Sequence, residues 1–397
     1  MWGFISERFK PNFLVNFRRN EEKQVGYVAI KGGETAISEA IALLDFLRAK
    51  DSNEPPLSTG GIQHQLHALH SRVLSEGGIY HPELAALAIK QSAGDTLEAA
   101  FYLRAYRSTC PRIGITPVQK TEQMRLIRRI SAAFKEIPGG QMLGPTPDYL
   151  QRLFKFELLD ESPHRFREIA KTWLQNIPDD NLPTSFPKVL DSLRAEGLLP
   201  SVQTQPHQPF DITREPLVFP VPRSAALATM SRGETGSLLA IAYSNMRGYG
   251  DIHPTVAELR VGYLPVMLPH PISGELMEAG DVLMTECEIV AMYEAPSKDS
   301  KPTFGLGYGA CLGHNEVKAI SMAILDRALQ KGQQQGVENP SEDPEFVLLH
   351  IDGIESMGFA SHYKMPHYVT FQSDLDRLRE TRGGGDTETR GHEEEEN

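Results

Sequence analysis

Helical periodicity gives way to strand periodicity part-way along this chain, and that order constrains the fold more than any other feature. Ile62, Leu66, Leu69 and Val73 fall at helical spacing, Leu84, Leu87, Ala88 and Ala99 to Leu103 continue it, and Met124, Ile127 and Ile130 extend it. Residues 62–155 therefore read as consecutive helices, punctuated at Gly77-Gly78, His81-Pro82, Gly94 and Pro138-Gly139-Gly140. The cluster Arg125, Arg128, Arg129 falls on the solvated side of one of them in this reading. Pro163, Pro178, Pro183, Pro187, Pro200, Pro206 and Pro209 then break the chain into a linker, with short helices expected around Phe166–Leu174 and Val189–Leu199. From Asp211 the β-type runs Leu238–Tyr243, Glu258–Val266, Asp281–Tyr293 and Phe346–Ile351 dominate. One helix interrupts them, opening at an Asn315 N-cap with Ile320, Ala323, Ile324, Ala328 and Leu329 on one face. The pattern predicts an α+β chain: a helical N-terminal layer, then a mixed, mainly antiparallel sheet domain with a packed helix.

The expected divisions are an N-terminal extension (1–25), a mainly helical domain (26–160), a variable linker (161–210), a strand-rich domain (211–381) and an acidic disordered tail (382–397). Near the start of the helical domain, Tyr27-Val28-Ala29-Ile30 runs into Lys31-Gly32-Gly33 and a helix, which fits a plain tight turn or a phosphate cradle. The formal charge of −12 argues against a nucleic-acid surface, and the tail, with two Arg against one Asp and five Glu, carries a third of that excess. Cys110, Cys287 and Cys311 are widely spaced, with no C-x-x-C. They exclude a disulfide scaffold, a four-cysteine zinc site and a self-contained iron-sulfur cluster, and suit a reducing, cytoplasmic home. No stretch approaches the roughly 18 apolar residues of a membrane span, and the aromatic-basic N-terminus lacks a signal-peptide apolar run.

Several residue sets could carry chemistry. His362 and His367, five apart with Pro366 between them, cannot pair on one helix; on a bent segment they could converge on a metal, or simply flank a turn. Glu286 and Glu288 lie at period 2 in a β-type run, roughly 7 Å apart on one face. Such a pair suits acid-base work or stabilisation of an oxocarbenium-like centre, and equally a solvated sheet face. Asp352 is a similar candidate. Gly305 to Gly309, followed by Gly313 and the Asn315 helix, could wrap a triphosphate or form a glycine-rich hairpin. Arg247 and Arg260 could neutralise phosphate or sit in ordinary salt bridges. His64, His67 and His70 spread over about 120° of a helix and read as a polar face rather than a metal site.

The segments YVAIKGGETAI, SEGGI, LRAYR, RRISAAFKEIPGGQMLGPTPDY, DITREP, AYSNMRGYGDIHP, VLMTECEIV, AISMAILDRAL, EFVLLHIDGIESMGF and SHYKMPHYVTFQ, in this order, resemble the I-subunit family of the bacterial carbon-phosphorus lyase core complex. The resemblance spans roughly residues 26–380, outside the linker. It implies a subunit that, with the G, H and L subunits, displaces adenine from ATP by a phosphonate at ribose C1′, giving ribose 1-methylphosphonate 5-triphosphate. It implies purine nucleosidase activity when alone, ATP handled with magnesium, and a homodimer within a complex of G, H and J subunits and the ATPase subunits K and L. It further implies that His362 and His367 bind zinc in a site shared with the J subunit, whose radical chemistry breaks the carbon-phosphorus bond.

Under that reading Glu286, Glu288 and Asp352 are the expected acidic groups, and Arg247, Arg260 and Lys364 the expected phosphate holders. Two other roles compete with it. One is a structural core subunit that assembles the complex and contributes zinc ligands to the J-subunit site; the other is a free-standing metal hydrolase. Residues 1–25 precede the resemblance and fit either a mis-set translation start or an amphipathic arm.

Overall fold

The computed structural model describes residues 33–51, 53, 55–175, 185–200, 209–249, 254–294, 301–365 and 367–382. The expected N-terminal extension and the Tyr27–Ile30 run lie outside them, as does the tail beyond Arg382. The chain divides at Leu57 into two compact units. Within the first, the described residues form one amphipathic helix, α1 (Glu34–Ala49), whose Ile37, Ile41, Leu44 and Leu47 are exposed.

The second unit opens with four helices, α2 (Thr59–Gln65), α3 (His67–Gly77), α4 (Pro82–Gln91) and α5 (Thr96–Thr109). Their starts follow side-chain caps: Ser58 Oγ accepts from Gly61 N at 2.9 Å, and Asp95 Oδ1 from Leu97 N at 3.0 Å. The apolar stripes bury Ile62, Val73, Leu74, Ala86, Ile89 and Leu103 against one another. Gly78 ends α3 at φ +61°, a backbone conformation that favours glycine.

Helix does not continue to residue 155 as the periodicity predicts. Residues 125–130 form a strand, β1 (Arg125–Ile130), antiparallel to β2 (Thr255–Pro269). Arg128 and Arg129 are buried, one toward each face of the sheet: Arg128 Nε lies 3.0 Å from Glu316 Oε1, and Arg129 Nε donates to Glu258 Oε1 at 2.6 Å. The carboxylates waiting on both faces are what a local helical period could not register.

β2 continues into β3 (Leu276–Glu294) and β4 (Thr303–Leu312), giving an antiparallel meander in the order β1-β2-β3-β4. The helix expected after Asn315 is α10 (Glu316–Gln335), and Asn315 Oδ1 caps Lys318 N at 3.2 Å. α10 packs Ala319, Met322 and Ala323 on Leu259, Cys287, Ile289 and Cys311. Gly305, Gly307 and Gly309 belong to β4 rather than to a phosphate loop; a Cβ at Gly307 would overlap the Ala323 carbonyl oxygen, so the glycines let α10 approach the sheet.

Two runs expected as strands are helices. Leu238–Tyr243 lies in α9 (Thr235–Ser244), which follows α8 (Arg223–Arg232), and Phe346–Ile351 falls largely in α11 (Pro344–His350). Their caps decided the matter: Glu234 Oε2 accepts from Ser237 N at 2.5 Å, and Asp343 Oδ1 from Glu345 N at 2.9 Å ahead of a first-turn proline. The helices α12 (Gly353–His362) and α13 (Tyr368–Arg382) complete the described chain.

The expected linker is in part a packed element. α6 (Pro163–Gln175) buries nothing, but Phe186, Lys188 and α7 (Val189–Ala195) cover the sheet face opposite α10, where Leu190 and Leu193 meet Ala257. Among the described residues no helix is long and apolar enough to cross a membrane.

Candidate active site

Alternation along β3 sends Cys287 and Ile289 toward α10 and Glu286 and Glu288 to the opposite face. There Arg260 stands across from Glu286, Glu258 across from Glu288 on β2, and Tyr308 across from Glu288 on β4. Thr121, Lys188 and the Phe186-Pro187 backbone close over them. The paired carboxylates are therefore on one face, as their spacing predicts, but that face is covered: Glu286 is 3% and Glu288 8% exposed.

The two differ in how well they are satisfied. Glu286 takes the Lys188 ammonium on Oε2, and on Oε1 the Thr121 hydroxyl at 2.9 Å and the Tyr308 hydroxyl at 3.0 Å. Glu288 Oε2 lies 3.6 Å from Lys188 Nζ and accepts no hydrogen bond among the described residues. Burial raises the Glu288 pKa above the ordinary carboxylate range; Glu286 and Glu258 add to that, while Lys188 opposes it. Glu288 thus holds its proton to higher pH than an ordinary glutamate. Burial together with Glu286 also pushes the Tyr308 phenol well up.

Arg260 is not available as a phosphate holder in this arrangement. Its Nη2 donates to the carbonyls of Phe186 and Pro187 at 2.9 and 3.1 Å and lies 2.9 Å from Glu258 Oε1. Asp352 is likewise engaged elsewhere: Oδ1 caps Ile354 N at 3.0 Å, and Oδ2 accepts from Arg104 Nη1 at 2.6 Å. It shares no hydrogen-bond partner with the glutamates among the described residues. Arg247 is exposed in the turn after α9, its guanidinium 6.0 Å from the centre of the Tyr243 ring. Lys364 is exposed between α12 and α13.

His362 and His367 do come together. His362 ends α12, His367 precedes α13, and their ring centres are 5.2 Å apart at 64°. Each Nδ1 lies 2.6 Å from a carbonyl, that of Phe359 for His362 and of Met365 for His367. A carbonyl only accepts, so each Nδ1 carries a proton, and Nε2 is the ring nitrogen that could take another partner. This arrangement suits metal binding through Nε2, and Lys364 sits in the same turn. Among the described residues no third His, Cys, Asp or Glu completes a ligand set. His64, His67 and His70 form none either: they divide between α2 and α3, and His70 Nε2 is 2.7 Å from the Pro82 carbonyl, with burial lowering its pKa.

The family described as bacterial phosphonate metabolism protein (PhnI) matches residues 26–384. The chain belongs to the PhnI family. It is 70% identical over 358 residues to the putative C-P lyase subunit protein HtxH of Stutzerimonas stutzeri, covering 90% of this chain and 96% of that one. It is 45% identical over 354 residues to the alpha-D-ribose 1-methylphosphonate 5-triphosphate synthase subunit PhnI of Escherichia coli (strain K12), covering 89% and 97%. The corresponding PhnI subunit of Rhizobium meliloti (strain 1021) is 41% identical over 359 residues, covering 90% and 95%.

Of the groups around the glutamates in this PhnI-family chain, the sequence marks Arg260, as a phosphate holder rather than as the partner of Glu258. Glu258 and Arg260 were readable as a same-face pair by their spacing of two. Lys188 and Thr121 were not, because they reach the sheet from segments distant in sequence from β3, and no local pattern marks such an approach.

Proposed function

We propose that this chain is the I subunit of an alpha-D-ribose 1-methylphosphonate 5-triphosphate synthase in C-P lyase phosphonate catabolism. The observation that carries the reading is the 45% identity to the Escherichia coli synthase subunit over 97% of that subunit's length. In this role it replaces adenine of magnesium-bound ATP by a phosphonate at ribose C1′, as a subunit working with G, H and J partners and the K and L ATPase subunits. Without them it cleaves the N-glycosidic bond to water.

The transition state of that exchange gathers positive charge on the ribose ring, and the departing adenine needs a proton. Glu288 fits the second need, since burial favours its protonated form. Glu286 fits the first, as a carboxylate whose position is fixed by Lys188, Thr121 and Tyr308. His362 and His367 would hold zinc through Nε2, each ring oriented by its Nδ1 bond to a carbonyl, with further ligands from the J subunit. Bound zinc would supply Lewis-acid or structural support at that boundary. Arg247 and Lys364, both exposed, fit contacts to phosphate groups.

One observation favours the alternative of a structural core subunit that contributes zinc ligands only. The carboxylate face is closed by Lys188 and α7, whereas the histidine turn is open. Adenine release from ATP separates the two readings when the purified chain and the assembled complex are assayed with Glu286→Gln and Glu288→Gln. Release that falls in both variants supports the carboxylate chemistry, and wild-type rates in both leave only the structural role. No release from wild-type chain or complex overturns the transferase reading itself.

A further inference from the structure

Away from the glutamates and the histidines, arginines from two helices converge beside the glycine turn that ends α3. Arg107 reaches in from α5 and donates Nη1 to the Gly78 carbonyl at 3.1 Å. Arg232, the last residue of α8, lays its stem over the same glycine: a Cβ added at Gly78 would lie 3.3 Å from Arg232 Cδ and 3.2 Å from Arg107 Nη1. Arg104, one turn before Arg107, links the two sites through its bonds to the carbonyls of Glu76 at 3.0 Å and Arg232 at 2.9 Å.

The charges here do not balance among themselves. The groups acting on Arg107 and Arg232 are Arg104, Arg112, Asp211, Asp352 and Glu355. Arg112 is paired with Asp211 and Arg104 with Asp352; Asp211 still acts on Arg107 and Asp352 on Arg232, and the one further carboxylate acting on the pair among the described residues is the exposed Glu355, beside Arg232. The Arg232 guanidinium makes no hydrogen bond among the described residues, although it is half-buried. Burial and the neighbouring arginines depress the pKa of both Arg107 and Arg232. Like charges held together and partly desolvated are unfavourable unless an anion joins them. Guanidiniums with several donors on rigid helices suit phosphate oxygens.

We infer that Arg107 and Arg232, which meet at Gly78, form a binding site for the polyphosphate chain of a nucleoside triphosphate. The choice of a triphosphate rests on the proposed use of ATP; the anion site itself rests on the geometry. It takes over the phosphate-holding role for which Arg260 is already engaged.

Binding of tripolyphosphate, ATP and methylphosphonate to the full-length chain, measured by calorimetry, tests this directly. Tripolyphosphate and ATP compete for one site in the wild type, and Arg232→Gln and Arg107→Gln weaken both by roughly tenfold or more. Arg232→Lys keeps a charge without the fork and falls between, which guards against a variant that merely unfolds; the unliganded melting temperature of each variant is recorded alongside. Unchanged tripolyphosphate affinity in folded Arg232→Gln and Arg107→Gln overturns the site. Methylphosphonate binding as tightly as tripolyphosphate overturns the polyphosphate assignment. Neither result depends on adenine release, so failure here is distinguishable from failure of the synthase reading.

Discussion

Arg104 Nη1 donates to Asp352 Oδ2 at 2.6 Å and so ties α5 to the N-terminus of α12. With its bonds to the Glu76 and Arg232 carbonyls, this one guanidinium also fixes the ends of α3 and α8. Asp352→Ala removes both the ion pair and the cap on Ile354, and a loss of about 2 kcal/mol is expected in urea unfolding. Asp352→Asn keeps the cap and restores about half of it. Equal stability of all three proteins would remove the structural role assigned to Asp352.

Glu286 and Glu288 should separate in stability as well as in chemistry. Glu286→Gln leaves the buried Lys188 ammonium with only the more distant Glu288 carboxyl at 3.6 Å, and costs on the order of 3 kcal/mol. Glu288 behaves in the opposite sense. Because its folded pKa is raised, the folded chain holds this proton over an interval where the unfolded chain has released it. The stabilisation is present below the ordinary carboxylate pKa and is lost as pH rises through the folded value. Denaturant titrations from pH 4 to 7 should therefore show Glu288→Gln gaining on the wild type as pH increases. A pH-independent difference contradicts the assignment.

Lys318 provides a second pH test on the α10 side of the sheet. It is fully buried, its Nζ donates to Ser75 Oγ at 2.6 Å, and desolvation lowers its pKa to about 8. Between that value and the ordinary lysine range the unfolded chain binds the extra proton, so stability rises with pH across the interval. The contribution is about 3 kcal/mol. Lys318→Met removes the slope. The check is unfolding at pH 7.5 and pH 10, with the wild type gaining relative to the variant at the higher pH.

Gly307→Ala should be among the most damaging single-methyl changes in the chain. The new Cβ would overlap the carbonyl oxygen of Ala323, a backbone atom of α10 that cannot rotate away. A loss of about 3 kcal/mol is expected by urea unfolding, against a gain of about 0.5 kcal/mol for the same change at Gly60 in α2, where nothing lies within 4 Å of the added carbon and alanine suits a helix better than glycine. A neutral Gly307→Ala would mean that α10 does not sit against β4 as described.

What the sequence made legible follows from the range of the interactions involved. Asn315 caps its own helix, and alternation puts Glu286 and Glu288 on one face; both relations are local, and both are present. Arg129 in β1 and Lys188 before α7 are positioned by carboxylates on strands far along the chain, so a charged run looked like a solvated helix and a proline-rich stretch like a linker. The runs in α9 and α11 were long enough to be apolar but too short to fix a period, and caps at Glu234 and Asp343 decided them. The spacing of His362 and His367 excluded one shared helix; their relative ring placement depends on the turn between α12 and α13, which a spacing does not specify.

The histidine turn yields the prediction closest to function. If His362 and His367 hold zinc through Nε2, the two rings act as one site, and either substitution alone should abolish it. His362→Ala and His367→Ala are expected to purify in the assembled complex with zinc per protomer reduced by most of its wild-type value, read by elemental analysis after exhaustive dialysis. Because His362 is exposed and each Nδ1 bonds only to a nearby carbonyl, neither substitution opens the core, and melting of the isolated chain should change by less than about 1 kcal/mol equivalent. Zinc content that falls in the complex while the isolated chain keeps its stability locates the loss at the shared boundary. Full zinc content in both variants would remove the histidines from the site.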